Sequence, residues 1–436
     1  MYFKDTVIRI ADAAKRRVRS FLRKLFRALP FVFAGLALLC IVISAIQITR
    51  LKEFQYDQYA AERWAGDSGN PYRQVSVIGR GQLQSSGSAA LFIDSGVSLN
   101  KETITELRNT ISGIITTAES QKKDNDPDAP QKSSGRAWVD AYYAEAKSII
   151  RVTVDGQETG VSTESRITGV SGYYYLFHPR QILSGSFLAE VPIDGQTIVL
   201  NEQLAWLLFK SNDIQDQTVM IGMREYTIIG VVREPDRNAD RTAGFDEPRA
   251  YMYFDELALM NQPVGEPKES FENQEAGSYY SSGEGEIGPG DLAIFCYEAV
   301  LSDPIDGIAL NDLKTALTTY NPSEGNFYFV NHTDRFGLLR IADRFLTAGE
   351  DVPQRSTFTF PASELSAQIT EQYLSIAWII LFVAVFFLII SLLASFLTIR
   401  RRLSRLRPYE PKKDASEDDN PRQIEMDDSF LSIRRV

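Results

Sequence analysis

Two long uncharged apolar runs constrain this chain more than any other feature of its sequence. They cover residues 31–48 and 374–399, and each is long enough for an α-helix to cross the hydrocarbon core of a bilayer. Nine basic residues against two acidic ones precede the first run. The arginines that follow the second run are Arg400, Arg401, Arg402, Arg405 and Arg407. By the positive-inside rule, both termini lie in the cytoplasm and residues 50–373 lie outside the cell membrane.

The basic N-terminal segment, residues 1–29, has apolar residues at three- and four-residue spacings with cations between them. This pattern predicts an amphipathic helix at the cytoplasmic membrane surface, with its cations toward anionic lipid. A nucleic-acid-binding arm is the alternative, but the adjoining apolar run at 30–49 favours the membrane. A cleaved signal peptide is disfavoured because its basic part would be unusually long and no A-x-A cleavage site follows.

Apolar side chains continue beyond both runs on their extracytoplasmic sides. Residues 50–69 and 351–373 are predicted to carry stalk helices, and the alternative is two helix ends that stand separately in solvent. The side chains predicted to pack in the stalk are Tyr56, Tyr59, Trp64, Leu365, Ile369 and Tyr373.

Between the stalk segments, strand-like and helix-like patterns alternate, which predicts an α+β extracytoplasmic domain. We predict two mixed α/β lobes, residues 70–235 and 236–350, and the second holds an acidic, Gly/Ser/Pro-rich loop at 261–290. The fold class is therefore an α+β domain on a two-helix transmembrane hairpin. Residues 400–436 are predicted to be a cytoplasmic basic segment followed by a polar, disordered tail.

One stretch of the first lobe, residues 197–232, is predicted in more detail. A strand at 197–200 precedes a helix at 202–210, which Asn201 caps. Strands at 218–221 and 226–232 follow, joined by a turn with glycine at Gly222. The helix is predicted to bury one stripe of side chains, which are Leu204, Ala205, Leu207 and Leu208.

The sequence offers little for catalysis or cofactor binding. Its only histidines, His178 and His332, and its only cysteines, Cys40 and Cys296, lack metal-ligand spacing, and no phosphate-binding loop occurs. His178 has no recognisable nucleophile near it in sequence, so a structural role is favoured over catalysis for it, and His332 stands at a strand-to-helix junction where a polar residue is expected. Tyr173 to Phe177 have strand spacing and are predicted to be core, with a ligand surface as the alternative. We therefore expect no enzyme, no metal and no cofactor.

Net charge bears on partners. Residues 50–373 carry 47 acidic and 27 basic residues, a net charge of −20. Such a domain repels nucleic acid, so no nucleic-acid partner is expected.

Four segments of the first lobe resemble the extracytoplasmic core of the MacB-type ABC permeases, the FtsX-like family. That family has G-V-S-x-x-Y, then hP…L-x-x-G-x-F/Y-L, then V-L-N-E-x-x-A-x-x-x-F, then h-x-I-h-G-V-V. Here the first segment starts at Gly169, the second at His178, the third at Val199 and the fourth at Tyr226, in the same order.

The resemblance implies a membrane-anchored, permease-like subunit of an ABC system. Its partners would be a separate ATPase, which the five arginines from Arg400 to Arg407 would contact, and a second permease-like subunit, identical or different. Family permeases carry four spans, and the last two have no counterpart in this sequence, which puts independent transport in doubt. The alternative is a stand-alone extracytoplasmic binding or scaffold protein that lacks transport coupling.

Overall fold

The structure is a computed structural model that describes residues 2–66, 71–86, 89–94, 99–125, 138–154, 156–192, 194–260, 292–320, 327–346 and 358–405. The predicted acidic loop at 261–290 and the tail beyond 405 lie outside these residues. The chain divides into two compact units. One contains residues 1–40 with 383–436, and the other contains residues 41–382.

The helices of the described chain are two long ones near its ends and eight shorter ones between them. They are α1 (Tyr2–Glu53), α2 (Ala60–Ala65), α3 (Lys101–Asn125), α4 (Tyr174–Phe177), α5 (Glu202–Phe209), α6 (Asn238–Thr242), α7 (Phe254–Leu259), α8 (Ile308–Tyr320), α9 (Leu338–Leu346) and α10 (Ala362–Arg405). A 3₁₀ turn, Tyr56–Gln58, separates α1 from α2.

The described strands belong to a single sheet. They are β1 (Tyr72–Gly79), β2 (Gly81–Ser86), β3 (Ala89–Asp94), β4 (Val139–Val154), β5 (Gln157–Gly172), β6 (Gln181–Gly185), β7 (Thr197–Asn201), β8 (Thr218–Ile221), β9 (Arg224–Arg233), β10 (Arg249–Tyr253), β11 (Cys296–Ser302) and β12 (Phe327–Asn331). The main order is β12-β1-β11-β4-β5-β10-β7-β9-β6, and only the pairs β5 with β10 and β7 with β9 are parallel.

The helices α1 and α10 contain the two segments that can cross a membrane by length and composition. These segments are Ala28–Glu53 and Ala362–Arg401. Large apolar side chains such as Leu38, Phe386 and Phe396 are more than half exposed on them, while small ones such as Ala37 and Ser391 are buried. An apolar exterior with small residues inside is the surface that a lipid environment favours.

The sheet is buried on both faces because its strands alternate apolar side chains toward two cores. On β10, Ala250 and Met252 belong to one cluster of buried residues, whereas Tyr251 and Tyr253 belong to the other. The first core also takes side chains from α3, α5, α7 and α8, and the second takes side chains from α2 and α4. The α+β fold class is therefore confirmed.

The predicted division into lobes at residue 235 differs from the structure. Strand β10, from the predicted second lobe, pairs with β5 on one side and with β7 on the other, and both of those belong to the predicted first lobe. Strand β11 likewise pairs with β1 and β4. Local periodicity cannot reveal such pairings, because they join segments far apart in the chain.

The detailed predictions for residues 197–232 are largely confirmed. The Asn201 side chain accepts a hydrogen bond of 2.9 Å from the backbone N–H of Leu204 and so caps α5, and a hairpin joins β8 to β9. Leu204, Ala205 and Leu208 are buried, but Leu207 is 42% exposed, which corrects its place in the buried stripe. The sheet covers only one side of α5, so Leu207 points outward.

Two glycines of the family-like segments have a physical explanation. Gly185 on β6 and Gly230 on β9 lie opposite each other in the sheet. A Cβ on Gly185 would stand 2.0 Å from the Ile229 carbonyl oxygen, and one on Gly230 would stand 2.2 Å from that of Ser186. Only glycine permits the two backbones to approach this closely.

Candidate functional site

The predicted ATPase-contact arginines lie at and beyond the end of α10. Arg400 and Arg401 are exposed there, and Arg402 and Arg405 belong to the last turns of the helix. Arg407 lies outside the described residues. Exposed cations suit a docking role, which stays a prediction.

The predicted stalk residues are divided among separate packing groups. Leu365 and Ile369 pack on Phe245 of the domain, Tyr59 joins a cluster with Ile48 and Leu374, and the Trp64 ring meets Tyr173 edge-on at 6.3 Å. Tyr56 and Tyr373 are 51% and 39% exposed. Within the first predicted stalk segment, residues 50–66 form a helix end, a 3₁₀ turn and a short helix instead of one stalk helix, because the chain turns at Phe54 and Gln55 to meet the domain.

A buried network of charged side chains occupies the place where these segments meet the sheet. Its first part centres on Arg180, which donates to the Asp57 carboxylate at 2.7 and 3.3 Å. The Arg180 Nε lies 2.7 Å from Glu234 Oε2, and Glu234 also accepts a hydrogen bond from the Tyr251 hydroxyl. This arginine therefore ties the turn after α1 to the strand that ends before Glu234.

The second part of the network runs through the two histidines. His178 Nε2 lies 2.5 Å from Glu298 Oε2, and Ser76 Oγ lies 2.9 Å from the other oxygen of the same carboxylate. Ser76 Oγ is also 2.6 Å from His332 Nε2, while His332 Nδ1 is 2.5 Å from Gln58 Oε1. Ser76 is 3% exposed, so this Ser–His contact is structural and a substrate has no access to the hydroxyl.

The third part joins the network to α10. Arg335 donates to both oxygens of Glu364 at 2.5 and 2.7 Å, and its Nε donates to Glu371. Its Nη1 also donates to Gln58 Oε1 at 3.0 Å, and Gln55 donates to Thr370 at 2.6 Å. Since Glu364, Thr370 and Glu371 all belong to α10, this helix is bound to the domain by buried charge as well as by apolar packing.

The electrostatics of the network keep its ion-paired groups charged and its second histidine, His332, neutral. Burial opposes protonation of His178, but the Glu298 and Asp57 carboxylates outweigh burial and raise its pKa to about 9. Burial opposes ionisation of both carboxyls, yet His178 holds the pKa of Glu298 below its usual range, and Arg180 with His178 does the same for Asp57. Burial and the Arg335 cation lower the pKa of His332 to about 4, so this imidazole is neutral near pH 7.

The aromatic segment that begins at Tyr173 forms α4, a single helical turn, and not a strand. Tyr174 and Phe177 are buried, as predicted for core residues. Tyr174, Tyr175 and Tyr253 line a small cleft. The volume of this cleft is about 30 Å³, which accommodates roughly one water molecule.

Sequence reasoning treated His178 and His332 one at a time and missed the network between them. A signal was available, because Glu298 stands alone inside an apolar strand and Glu364 and Glu371 share one face of a helix at seven-residue spacing. The described residues include no group of three or more His, Cys, Asp or Glu side chains arranged to hold a metal ion. The network's chemistry is therefore that of ion pairs and hydrogen bonds.

The fold and the two apolar helices define the class of this protein: a membrane protein with an α+β extracytoplasmic segment. Residues 88–277 match the family model of the MacB-like periplasmic core domain. The chain therefore contains a MacB-like extracytoplasmic domain, as the four segments from Gly169 to Val232 indicated.

Two solved structures are similar to this chain at low identity. The periplasmic region of MacB from Actinobacillus actinomycetemcomitans is 14% identical, with a TM-score of 0.35, over 64% of this chain and 94% of that one. The extracellular domain of the noncanonic ABC-type transporter YknZ from Gram-positive bacteria is 11% identical, with a TM-score of 0.33, over 59% of this chain and 100% of that one. A search of curated proteins gave no match.

Proposed function

We propose that this protein is a membrane-anchored, permease-like subunit of a MacB/FtsX-type ABC system that transmits ATP-driven motion to its extracytoplasmic domain. The observation that carries the proposal is the attachment of α10 (Ala362–Arg405), which is one continuous helix from its exposed arginines to the domain. Arg335 binds Glu364 and Glu371 of this helix through buried ion pairs. Both termini then lie in the cytoplasm, as the basic flanks favour.

The buried network gives the motion a route into the sheet. From α10, hydrogen bonds lead through Arg335 to Gln58 and through His332 and Ser76 to Glu298, in the middle of β11. A shift of α10 along its axis would separate buried charges, which costs several kcal/mol when a partner is lost. The domain is therefore expected to follow the helix as a body.

In this proposal the partners are those that the family resemblance implies. A separate ATPase binds the arginines from Arg400 to Arg407, a second permease-like subunit completes the membrane part, and anionic lipid holds residues 1–29. The arginines gain from a fixed anionic partner beside the membrane. If no ATPase binds, the protein is instead a stand-alone extracytoplasmic scaffold.

The first experiment tests ATPase binding. The variant Arg401→Gln/Arg402→Gln/Arg405→Gln removes three cations from the end of α10, and the control Arg233→Gln/Arg241→Gln removes two exposed cations from the domain. Co-purification in mild detergent with each candidate ATPase should give less bound ATPase for the first variant and an unchanged amount for the control. If the unmodified protein binds none of the candidate ATPases, the ABC proposal is wrong and the stand-alone scaffold is favoured.

The second experiment tests coupling. A nanobody raised against the extracytoplasmic domain should change the ATPase rate of the unmodified complex in nanodiscs. In a Glu364→Gln/Glu371→Gln variant, the ATPase should stay bound while its rate no longer responds to the nanobody, because Arg335 has lost both charged partners on α10. A response of the same size in the variant would contradict transmission through the network.

A further inference from the structure

Helix α9 (Leu338–Leu346) lies against the outward ends of the two membrane-spanning segments. Phe336, just before it, and Ile341 within it are 4% and 5% exposed, and they belong to one apolar cluster with residues of α1 and α10. We call this group the juxtamembrane cluster; its members are Ile48, Leu51, Tyr59, Phe336, Ile341, Ala367, Leu374, Ala377, Trp378 and Leu381.

The charged residues around the juxtamembrane cluster locate the membrane boundary. On α1, Arg50 and Lys52 are the first charges after the apolar run, and on α10 the last charge before the run is Glu371. The Lys52 ammonium lies 5.9 Å from the centre of the Trp378 ring, so these two turns are at the same level. Tryptophan beside lysine is typical of the membrane–water interface.

The exposed side of α9 combines one large apolar side chain, Leu339, with the charged side chains of Arg340 and Asp343. Leu339 is 83% exposed, the largest exposure among the large apolar side chains of the described residues. Arg340, next to it, is exposed as well. An interfacial helix combines such residues, because the leucine enters the acyl region while the arginine reaches the headgroups.

We propose that α9 binds the outer leaflet of the bilayer that the protein's own helices cross, with Leu339 inserted below the headgroups. Lipid is favoured over a protein as the partner of α9, because the apolar surface of the membrane-spanning helices continues up to α9. The turns of α1 and α10 that contact α9 on one side expose Ile46, Ile376 and Ile379 on another, each by about half. A lipid surface that covers these side chains also reaches α9. This inference rests on the membrane spans and holds whether or not an ATPase binds.

Such contact would fix the height of the domain. Arg335 lies three residues before α9 and belongs to the buried network, so a helix held in the leaflet anchors that network at its membrane end. The outer leaflet would then act as the fixed surface against which α10 moves.

The test uses the full chain in vesicles of phosphatidylethanolamine and phosphatidylglycerol, with Cys40→Ala to remove the cysteine in the span. An environment-sensitive fluorophore is attached at Leu339→Cys or at the control Met223→Cys. Met223 is 62% exposed in the turn between β8 and β9. This turn follows Ile221, which pairs with Ile150 of β4, whereas β11 pairs with residues 139–143 of β4.

The expected result is blue-shifted emission at position 339, quenched several-fold more by nitroxide-labelled lipid than emission at position 223, and poorly quenched by aqueous iodide. Iodide quenching at 339 equal to that at 223 would show that the helix stands in water and overturn the proposal. Protection from both quenchers would show that a protein, either a second copy or a partner subunit, covers α9, and would overturn it as well.

Discussion

Arg335 has a full charge while only 6% of its surface is exposed. It is stable there because Glu364 and Glu371 supply opposite charge and Gln58 accepts a further hydrogen bond from Nη1. A buried charge is tolerated only with such partners, since the loss of one partner leaves the other uncompensated. The net free energy of the buried ion pairs is therefore small, whereas removing Arg335 is costly because it leaves two buried carboxylates without a cation.

The first prediction concerns this arginine. Arg335→Gln should lower the free energy of unfolding by about 3–5 kcal/mol, because two carboxylates stay buried without their cation. The matched control is Arg241→Gln, whose ion pair with Asp236 is exposed on both sides. Thermal unfolding in detergent checks both, and the control should keep its midpoint. Equal midpoints for the two variants would contradict the burial of the Arg335 network.

The second prediction concerns pH. His178 has a pKa of about 9 in the folded protein, above its ordinary value near 6.5, because Glu298 and Asp57 favour its charged form. The stability it contributes is therefore fully present below pH 6.5 and is lost as the pH rises through 9. The unfolding temperature should fall between pH 6.5 and 9, and His178→Gln should flatten this decline even though it lowers stability at pH 6.5. An identical slope in both proteins would contradict the charged state of His178.

Among the elements, α5 shows which features of a helix can be predicted from its sequence pattern and which cannot. The cap at Asn201 and the burial of Leu204 and Leu208 follow from local sequence, since a capping side chain and one apolar stripe are properties of the helix itself. The exposure of Leu207 does not follow, because the width of the buried stripe depends on how much of the helix the sheet covers.

The third prediction tests this distinction. Leu204→Ala should lower the free energy of unfolding by about 2–5 kcal/mol, as for a leucine removed from a packed core. Leu207→Ala removes the same atoms from a side chain that is 42% exposed. The free energy of unfolding should therefore fall by only a few tenths of a kcal/mol, as for a surface site. Denaturant unfolding of the two variants provides the comparison, and similar losses would mean that the helix is packed on a different face.

At the scale of the whole molecule, the two spans and their basic flanks predict a topology. The fourth prediction is that an impermeant thiol reagent reaches Thr105→Cys in intact cells but not Leu403→Cys, both introduced with Cys40→Ala. Thr105 is exposed on α3 and Leu403 is 61% exposed near the end of α10, so access is not limited by burial within the protein. Reaction at position 403 from outside would contradict the cytoplasmic C-terminus.

The apolar runs, the α+β class, the family-like core and the local structure of residues 197–232 could all be predicted from the sequence. These depend on periodicity, on caps and turns, and on glycines such as Gly185 and Gly230 that the backbone geometry demands. Each is specified by residues close together in the chain, so each leaves a pattern that can be read there.

How distant segments combine could not be predicted from the sequence and is seen only in the folded chain. The tertiary structure placed β10 between β5 and β7, which removed the predicted lobe boundary, and it packed Leu365 and Ile369 on Phe245. It also brought Asp57, His178, Glu298, Arg335 and Glu364 into one buried network. The physical reason is that a charge is stable in a core only beside its counter-charge, and that partner can come from any part of the chain.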